Sequence, residues 1–236
     1  MINTTITPAS ITSTTTPEAP LTTTENILTY THVPIKAMSL AILALLLIAC
    51  NQVQAQTPAN AVNTLNETDI AGLVWMLEEE KLAHDVYVTL FDAWGVRTFD
   101  NISRSEAQHM AAVQGVLERY NIAVPHLGEV GVFNDATLQG LYADLVARGT
   151  TSLTEALQVG AFIEELDIED LNLRRAQTDN RDIRTTYDNL NRGSRNHLRA
   201  FVRQLNRYDV TYEPQVLEVN DYHTIINSSP ERGNQN

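Results

Sequence analysis

From Glu67 to Tyr208 the apolar residues recur at the three- and four-residue spacing that lines one face of an α-helix, and after residue 66 no segment alternates as a strand would. Four long helices follow from that spacing. The first, roughly Glu67–Ala93, carries Ile70, Leu73, Leu77, Tyr87 and Phe91 on its apolar face and is stopped by Gly95. The second, roughly Ser103–Tyr120, carries Val113, Val116 and Leu117, with Ile102 at its start. The third opens on Ser152-Leu-Thr-Glu155, a capping box in which each side chain can take an orphan backbone N–H, and continues through Leu153, Leu157, Gly160 and Ile163. The fourth, roughly Asp182–Tyr208, places Ile183, Tyr187, Leu190, Phe201 and Leu205 on one side.

The connections decide how these helices pair. The first and second are joined by a short segment near Gly95–Ile102, and the third and fourth by another near Leu173–Arg181. Between the second and third lies a long crossover, Asn121–Thr151, with Pro125, Gly128, Gly131 and a short extra helix near Asp135–Arg148. Two helical hairpins joined by one long crossover predict an all-α, ferritin-like antiparallel four-helix bundle over residues 67–212, with 213–236 as a C-terminal tail.

Polar residues interrupt every apolar face. Glu80 and His84 fall among Leu77, Tyr87 and Phe91; Glu106 and His109 lie between Ile102 and Val113. Glu164 and Asp167 follow Ile163, and Ser194 and His197 lie between Leu190 and Phe201. A buried carboxylate is costly unless it is paired or bound to a metal. Clusters at mid-helix on all four helices meet at one depth, and two divalent cations would account for all of them together. The recurrent recipe is a glutamate from each of two helices and Glu-x-x-His from each of the other two, since i, i+3 spacing puts both groups on one face. Glu80 and Glu164 fit the single glutamates, and Glu106-Ala-Gln-His109 is a complete Glu-x-x-His. Ser194-Arg-Asn-His197 has the histidine without the glutamate, and Asp167 or His84 is placed to fill the gap. The expected ligands are therefore Glu80, Glu106, His109, Glu164, Asp167 and His197, with His84, Tyr87 and Ser194 behind them. Taken singly, each has a plainer reading: Glu-x-x-His is a common pattern, and isolated histidines more often hydrogen-bond at a core edge. Glu78, Glu79 and Glu165 read as a solvated face, Tyr87 and Tyr187 as core, and His32, His126 and His223 are given no role.

The formal charge is −13, and only Glu18, Glu25 and Lys36 among the first fifty residues contribute to it. So acidic a body argues against nucleic acid as a partner and is compatible with metal cations. The single cysteine, Cys50, excludes an internal disulfide and a multi-thiolate metal site. Histidine and carboxylate donors suit iron, manganese or zinc better than copper(I). Upstream of the bundle, 1–36 is a Thr-rich segment expected to be disordered or an over-extended start. Residues 37–55 have the anatomy of a signal segment, whose apolar run is shorter than the roughly 20 residues needed to span a bilayer. Two processing routes stay open: a lipobox at Leu47-Ile48-Ala49-Cys50, with Cys50 lipidated, or cleavage after Val53-Gln54-Ala55. Either predicts export, as a membrane-anchored lipoprotein or as a periplasmic or secreted protein, and residues 56–66 then form a linker. The membrane would be a partner only through that anchor.

The stretches EEEKLAHDVY (78–87), RSEAQHM (104–110), GVFNDATLQGLYADLVARG (131–149), SLTEALQVGAFIEELDIEDL (152–171) and GSRNHLRAF (193–201) resemble the DUF2202 domain of bacteria and archaea, within the ferritin-like superfamily that includes rubrerythrins. The resemblance implies the bundle fold and, at Glu80, Glu106, His109, Glu164 and His197, ligand positions of a di-iron centre. Ser194 departs from that pattern. Relatives in the superfamily reduce oxygen or peroxide, or oxidise and store iron. Three functions remain open on this basis: an oxidoreductase, a metal-binding module without turnover, and a structural bundle. No rubredoxin-like four-cysteine site accompanies the bundle, so an oxidoreductase would need an external electron donor; a homo-oligomer is left open.

Overall fold

The computed structural model describes residues 64–233. The Thr-rich segment 1–36, the apolar run 37–55 with Cys50, and the linker as far as residue 63 lie outside the described residues. Among the described residues there are six helices and no strand: α1 (Glu67–Trp94), α2 (Arg97–Arg119), α3 (Ala136–Gly149), α4 (Leu153–Gln177), α5 (Arg181–Asn206) and α6 (Val219–Asn227). No helix among them is long and apolar enough to cross a membrane.

Local chemistry sets the ends of these helices. Asn66 caps α1 by accepting the Asp69 N–H at 2.8 Å, and Gly95 closes it in the left-handed region, φ 65°, with its N–H on the Phe91 carbonyl at 2.7 Å. Only Gly95 and Val96 then separate α1 from α2, so α2 starts well before Ser103. Phe99, one turn ahead of Ile102, is fully buried and carries the apolar face back to the turn. The Ser103 hydroxyl donates to the Asp100 carbonyl at 3.0 Å inside the helix and caps nothing. At α4 half of the expected capping box forms: Ser152 accepts the Glu155 N–H at 3.1 Å, while the Glu155 carboxylate turns to Nε of Arg148 at 2.8 Å. Asn180 caps α5 by accepting the N–H groups of Asp182 and Ile183 at 2.9 and 3.2 Å.

The short connections make α1 and α2 one antiparallel hairpin and α4 and α5 another. The hairpins meet through α1 on α4 and α2 on α5, α3 lies against α1 and α4, and α6 lies against α5. The result is an all-helical bundle whose apolar core falls into two parts. One part holds Leu73, Leu77, Val113, Leu117, Leu171, Tyr187 and Leu190. The other holds Leu82, Val86, Tyr87, Phe99, Leu157, Ile163, Leu198 and Phe201. Along all four long helices, the candidate ligands occupy the step between the two parts.

Two expectations need correction. Glu78, Glu79 and Glu165 are buried, not solvated. Glu78 accepts from the Asn134 amide at 2.5 Å and from the Asp135 N–H at 3.0 Å, because the crossover folds over the outer face of α1. Under the same cover Lys81 pairs with Asp85, so α1 is buried almost all round at mid-length. Glu165 accepts the N–H groups of Val216 and Leu217 at 3.0 and 2.9 Å, that of Gln215 at 3.1 Å, and the Tyr212 hydroxyl. The segment expected to be a tail thus folds back on the bundle and contributes α6, with Tyr222 and Ile225 buried.

Candidate metal centre

Each long helix delivers polar groups into the gap between the two apolar parts. Glu80 comes from α1, Glu106 and His109 from α2, Glu164 and Asp167 from α4, and Ser194 and His197 from α5. Glu80, Glu106 and Glu164 are only 1–2% exposed, and the side chains of His109 and His197 are 12% exposed. Burial this deep would be costly for unpartnered charges.

Two ligand triads form, and they share one residue. Glu80, Glu106 and His109 bring one donor atom each within 4.8 Å of one another, and so do Glu106, Glu164 and His197. Nδ1 of His109 lies 2.7 Å from Oε2 of Glu106 and 3.1 Å from Oε2 of Glu80. Nδ1 of His197 lies 2.8 Å from Oε1 of Glu106 and 3.4 Å from Oε2 of Glu164. Glu106 therefore offers one oxygen to each imidazole, and the two rings stack with centroids 5.6 Å apart. Oε1 of Glu80, Oε1 of Glu106 and Nδ1 of His197 are buried without a hydrogen-bond partner; the close approach of the last two is out of line for a bond. Buried polar atoms are rarely left so. Orphaned atoms of this kind, converging from three helices, are groups that could hold a metal ion.

Tyr87 and Ser194 stand behind the triads. Tyr87 donates to Oε1 of Glu164 at 2.6 Å, which fixes that carboxylate and leaves Oε2 toward His197. Ser194 donates to Oδ2 of Asp167 and to the Leu190 carbonyl at 3.0 Å. Asp167 is buried beside the triads with Oδ1 unpartnered, and belongs to neither of them. His84 also lies outside both: its Nδ1 sits 2.8 Å from Asp85, beneath the crossover.

The electrostatics follow from burial set against opposite charge. Burial pushes the Glu80 carboxyl up to about 8, against the pull of His109. Burial also raises Glu164, and it holds Asp167 well above the carboxylate range with help from Glu80. Glu106 is the exception: burial opposes its ionisation, but the charges of His197 and His109 outweigh it and hold the carboxyl well below its usual value. Burial disfavours charge on His197 as well, yet Glu106 and Glu164 carry it up to about 10; Glu80 and Glu106 raise His109 in the same way. The opposing charges thus hold Glu106 low and the two facing imidazoles high.

The sequence pattern did not point to Glu79. Its carboxylate accepts the Trp75 indole N–H at 3.0 Å, which also reaches Asp170 at 2.9 Å, and burial with the charges of Asp170 and Asp167 raises it well above the ordinary range. The i, i+4 spacing of Trp75 and Glu79 was the available signal, obscured by the run of three glutamates at 78–80.

Fold and site together define an all-helical bundle with carboxylate and histidine groups that could hold metal. The family model for an uncharacterized protein domain, DUF2202, matches residues 69–229, and the chain belongs to that family. The uncharacterized protein MJ0754 of Methanocaldococcus jannaschii is 49% identical over 170 residues, covering 72% of this chain and 92% of the relative. The crystal structure of the hypothetical protein MJ0754 from Methanococcus jannaschii matches with a TM-score of 0.70 at 46% identity, over 76% of this chain and all of that one (100%).

Proposed function

We propose that this domain is a ferritin-like metalloprotein that holds two divalent cations, iron before manganese or zinc, and reacts with oxygen or peroxide. The observation that carries the reading is the pair of triads sharing Glu106, with buried donor atoms of Glu80, Glu106 and His197 left unpartnered. Glu80 and His109 would complete one ion's protein donors, and Glu164 and His197 the other's. When bound, such ions supply Lewis-acid and one-electron chemistry toward oxygen species. The chain's own part is to bring the donors together, to exclude bulk water from the carboxylates, and to orient Glu164 through the Tyr87 hydroxyl. Export by the 37–55 segment and an external electron donor complete the proposal.

A second reading, a binding module without turnover, rests on Ser194. It supplies no carboxylate where a second Glu-x-x-His would, so the His197 side is a ligand short unless Asp167 turns toward it. Metal analysis of protein purified without chelator separates both readings from a purely structural bundle. Two equivalents of iron or manganese per chain are expected, with anomalous signal at both triads; protein that binds neither ion overturns both. Peroxide consumption by the iron-loaded protein with a reductant then divides the first reading from the second.

A further inference from the structure

We infer that Gly193 is a positioning residue: the space left by its missing side chain seats the His109 imidazole against α5, and so sets the spacing at which His109 and His197 share Glu106. The inference rests on the proposed centre and goes beyond its ligands. A β-carbon built on Gly193 would lie 2.6 Å from Cε1 and 2.6 Å from Nε2 of His109, closer than real contacts allow, with Cε1 of His197 at 3.8 Å. The ring cannot simply swing aside. Its Nδ1 is held toward Glu106 at 2.7 Å and Glu80 at 3.1 Å, and its face stacks on His197 with centroids 5.6 Å apart. Relief would have to come from carrying Nδ1 away from Glu106 or from pushing α2 away from α5. Either disturbs the ligand geometry.

Gly193 also sits inside α5, where glycine is less favourable than alanine. Not every helical glycine here has a steric reason. Gly115 in α2 and Gly140 in α3 have nothing within 4 Å of a built β-carbon. Gly193 differs from them because the facing helix presents an aromatic ring, and that ring belongs to a candidate ligand.

The test uses Gly193→Ala alone and with His109→Ala, and Gly115→Ala as a propensity control, read by thermal melting and by equilibrium dialysis against manganese(II). In the native background Gly193→Ala should lower the melting temperature. With His109→Ala the ring is gone, and the same substitution should raise it, as Gly115→Ala should in both backgrounds. Gly193→Ala should also weaken one of two manganese sites by roughly 10–100-fold and spare the site of Glu164 and His197. Equal rises in melting temperature in both backgrounds, or two sites of unchanged affinity, would overturn the inference. Should the unsubstituted chain bind no metal, the proposed function fails, while the reversal of sign between backgrounds still reads the seat.

Discussion

Glu106 carries the most consequence of any single residue. Each of its oxygens faces a different imidazole, at 2.7 and 2.8 Å, and it alone belongs to both triads. Glu106→Gln keeps the shape and removes the charge. It should therefore abolish binding of both ions, where Glu80→Gln or Glu164→Gln should lose one; equilibrium dialysis against manganese(II) counts them. If Glu106→Gln leaves one tight site, Glu106 does not span the two. Ser194 poses a different question, since its hydroxyl is the hydrogen-bond donor to the buried Asp167. Ser194→Ala leaves that carboxyl without a partner and should destabilise the domain by about 1–3 kcal/mol, seen as a lower midpoint in urea at unchanged slope. These residues were legible as candidates because each breaks an apolar face at mid-helix. Their roles were not: that Asp167 answers to Ser194, and that Glu106 rather than Glu80 is central, depends on which helices face each other at that level.

Among the elements, the unexpected one is the C-terminal arm. Glu165 of α4 accepts backbone N–H groups from residues 215, 216 and 217 and the Tyr212 hydroxyl, so one carboxylate holds the segment leading into α6. Arg199 of α5 holds the far side, donating to the Ile225 carbonyl at 2.8 Å and to Glu231 at 2.9 Å. Glu165→Ala strands the buried Leu217 N–H and Tyr212 hydroxyl together with the part-buried N–H groups of Gln215 and Val216. At about 1–3 kcal/mol for a stranded buried donor, a loss of roughly 3 kcal/mol is expected, with faster amide exchange in α6 than in α1 or α2. Uniform exchange across all helices would show that the arm is not a separable unit. The sequence read Glu165 as solvated and the arm as a tail because the bonds joining them span about fifty residues and leave no periodic trace. The four long helices, by contrast, each show their own apolar face and end signals, and the crossover declares itself through Pro125, Gly128 and Gly131. The start of α2 lies ahead of Ser103 because Phe99 already extends the apolar face.

For the molecule as a whole, the proposed centre would couple stability to pH and to metal. Glu80 has its folded value near 8, above the roughly 4.3 of an unfolded glutamate, so the folded chain holds the extra proton between those values. Stability from that source is intact below about pH 4.3 and falls as pH rises toward 8. His197, near 10 when folded against roughly 6.5 unfolded, acts with the same sign in a higher window, and its charge is stabilised by Glu106 and Glu164. Glu106 is held low and acts oppositely, contributing above the ordinary carboxylate range and losing that contribution only as pH drops below it. Across pH 5 to 9 the metal-free protein should therefore lose stability steadily. A bound cation reverses this, because it requires Glu80 ionised and Nδ1 of both histidines free of protons, and it binds the folded chain in preference. Melting temperatures with chelator should fall from pH 5 to 9, and with manganese(II) they should rise over at least the lower half of that range. Binding near pH 7 should also release the protons held by Glu80, His109 and His197, so the apparent enthalpy in titration calorimetry should change with the ionisation enthalpy of the buffer. Parallel melting curves with and without manganese(II), together with a buffer-independent enthalpy, would mean that these buried groups are not metal ligands and that Glu106 and the two imidazoles form only a structural ion cluster.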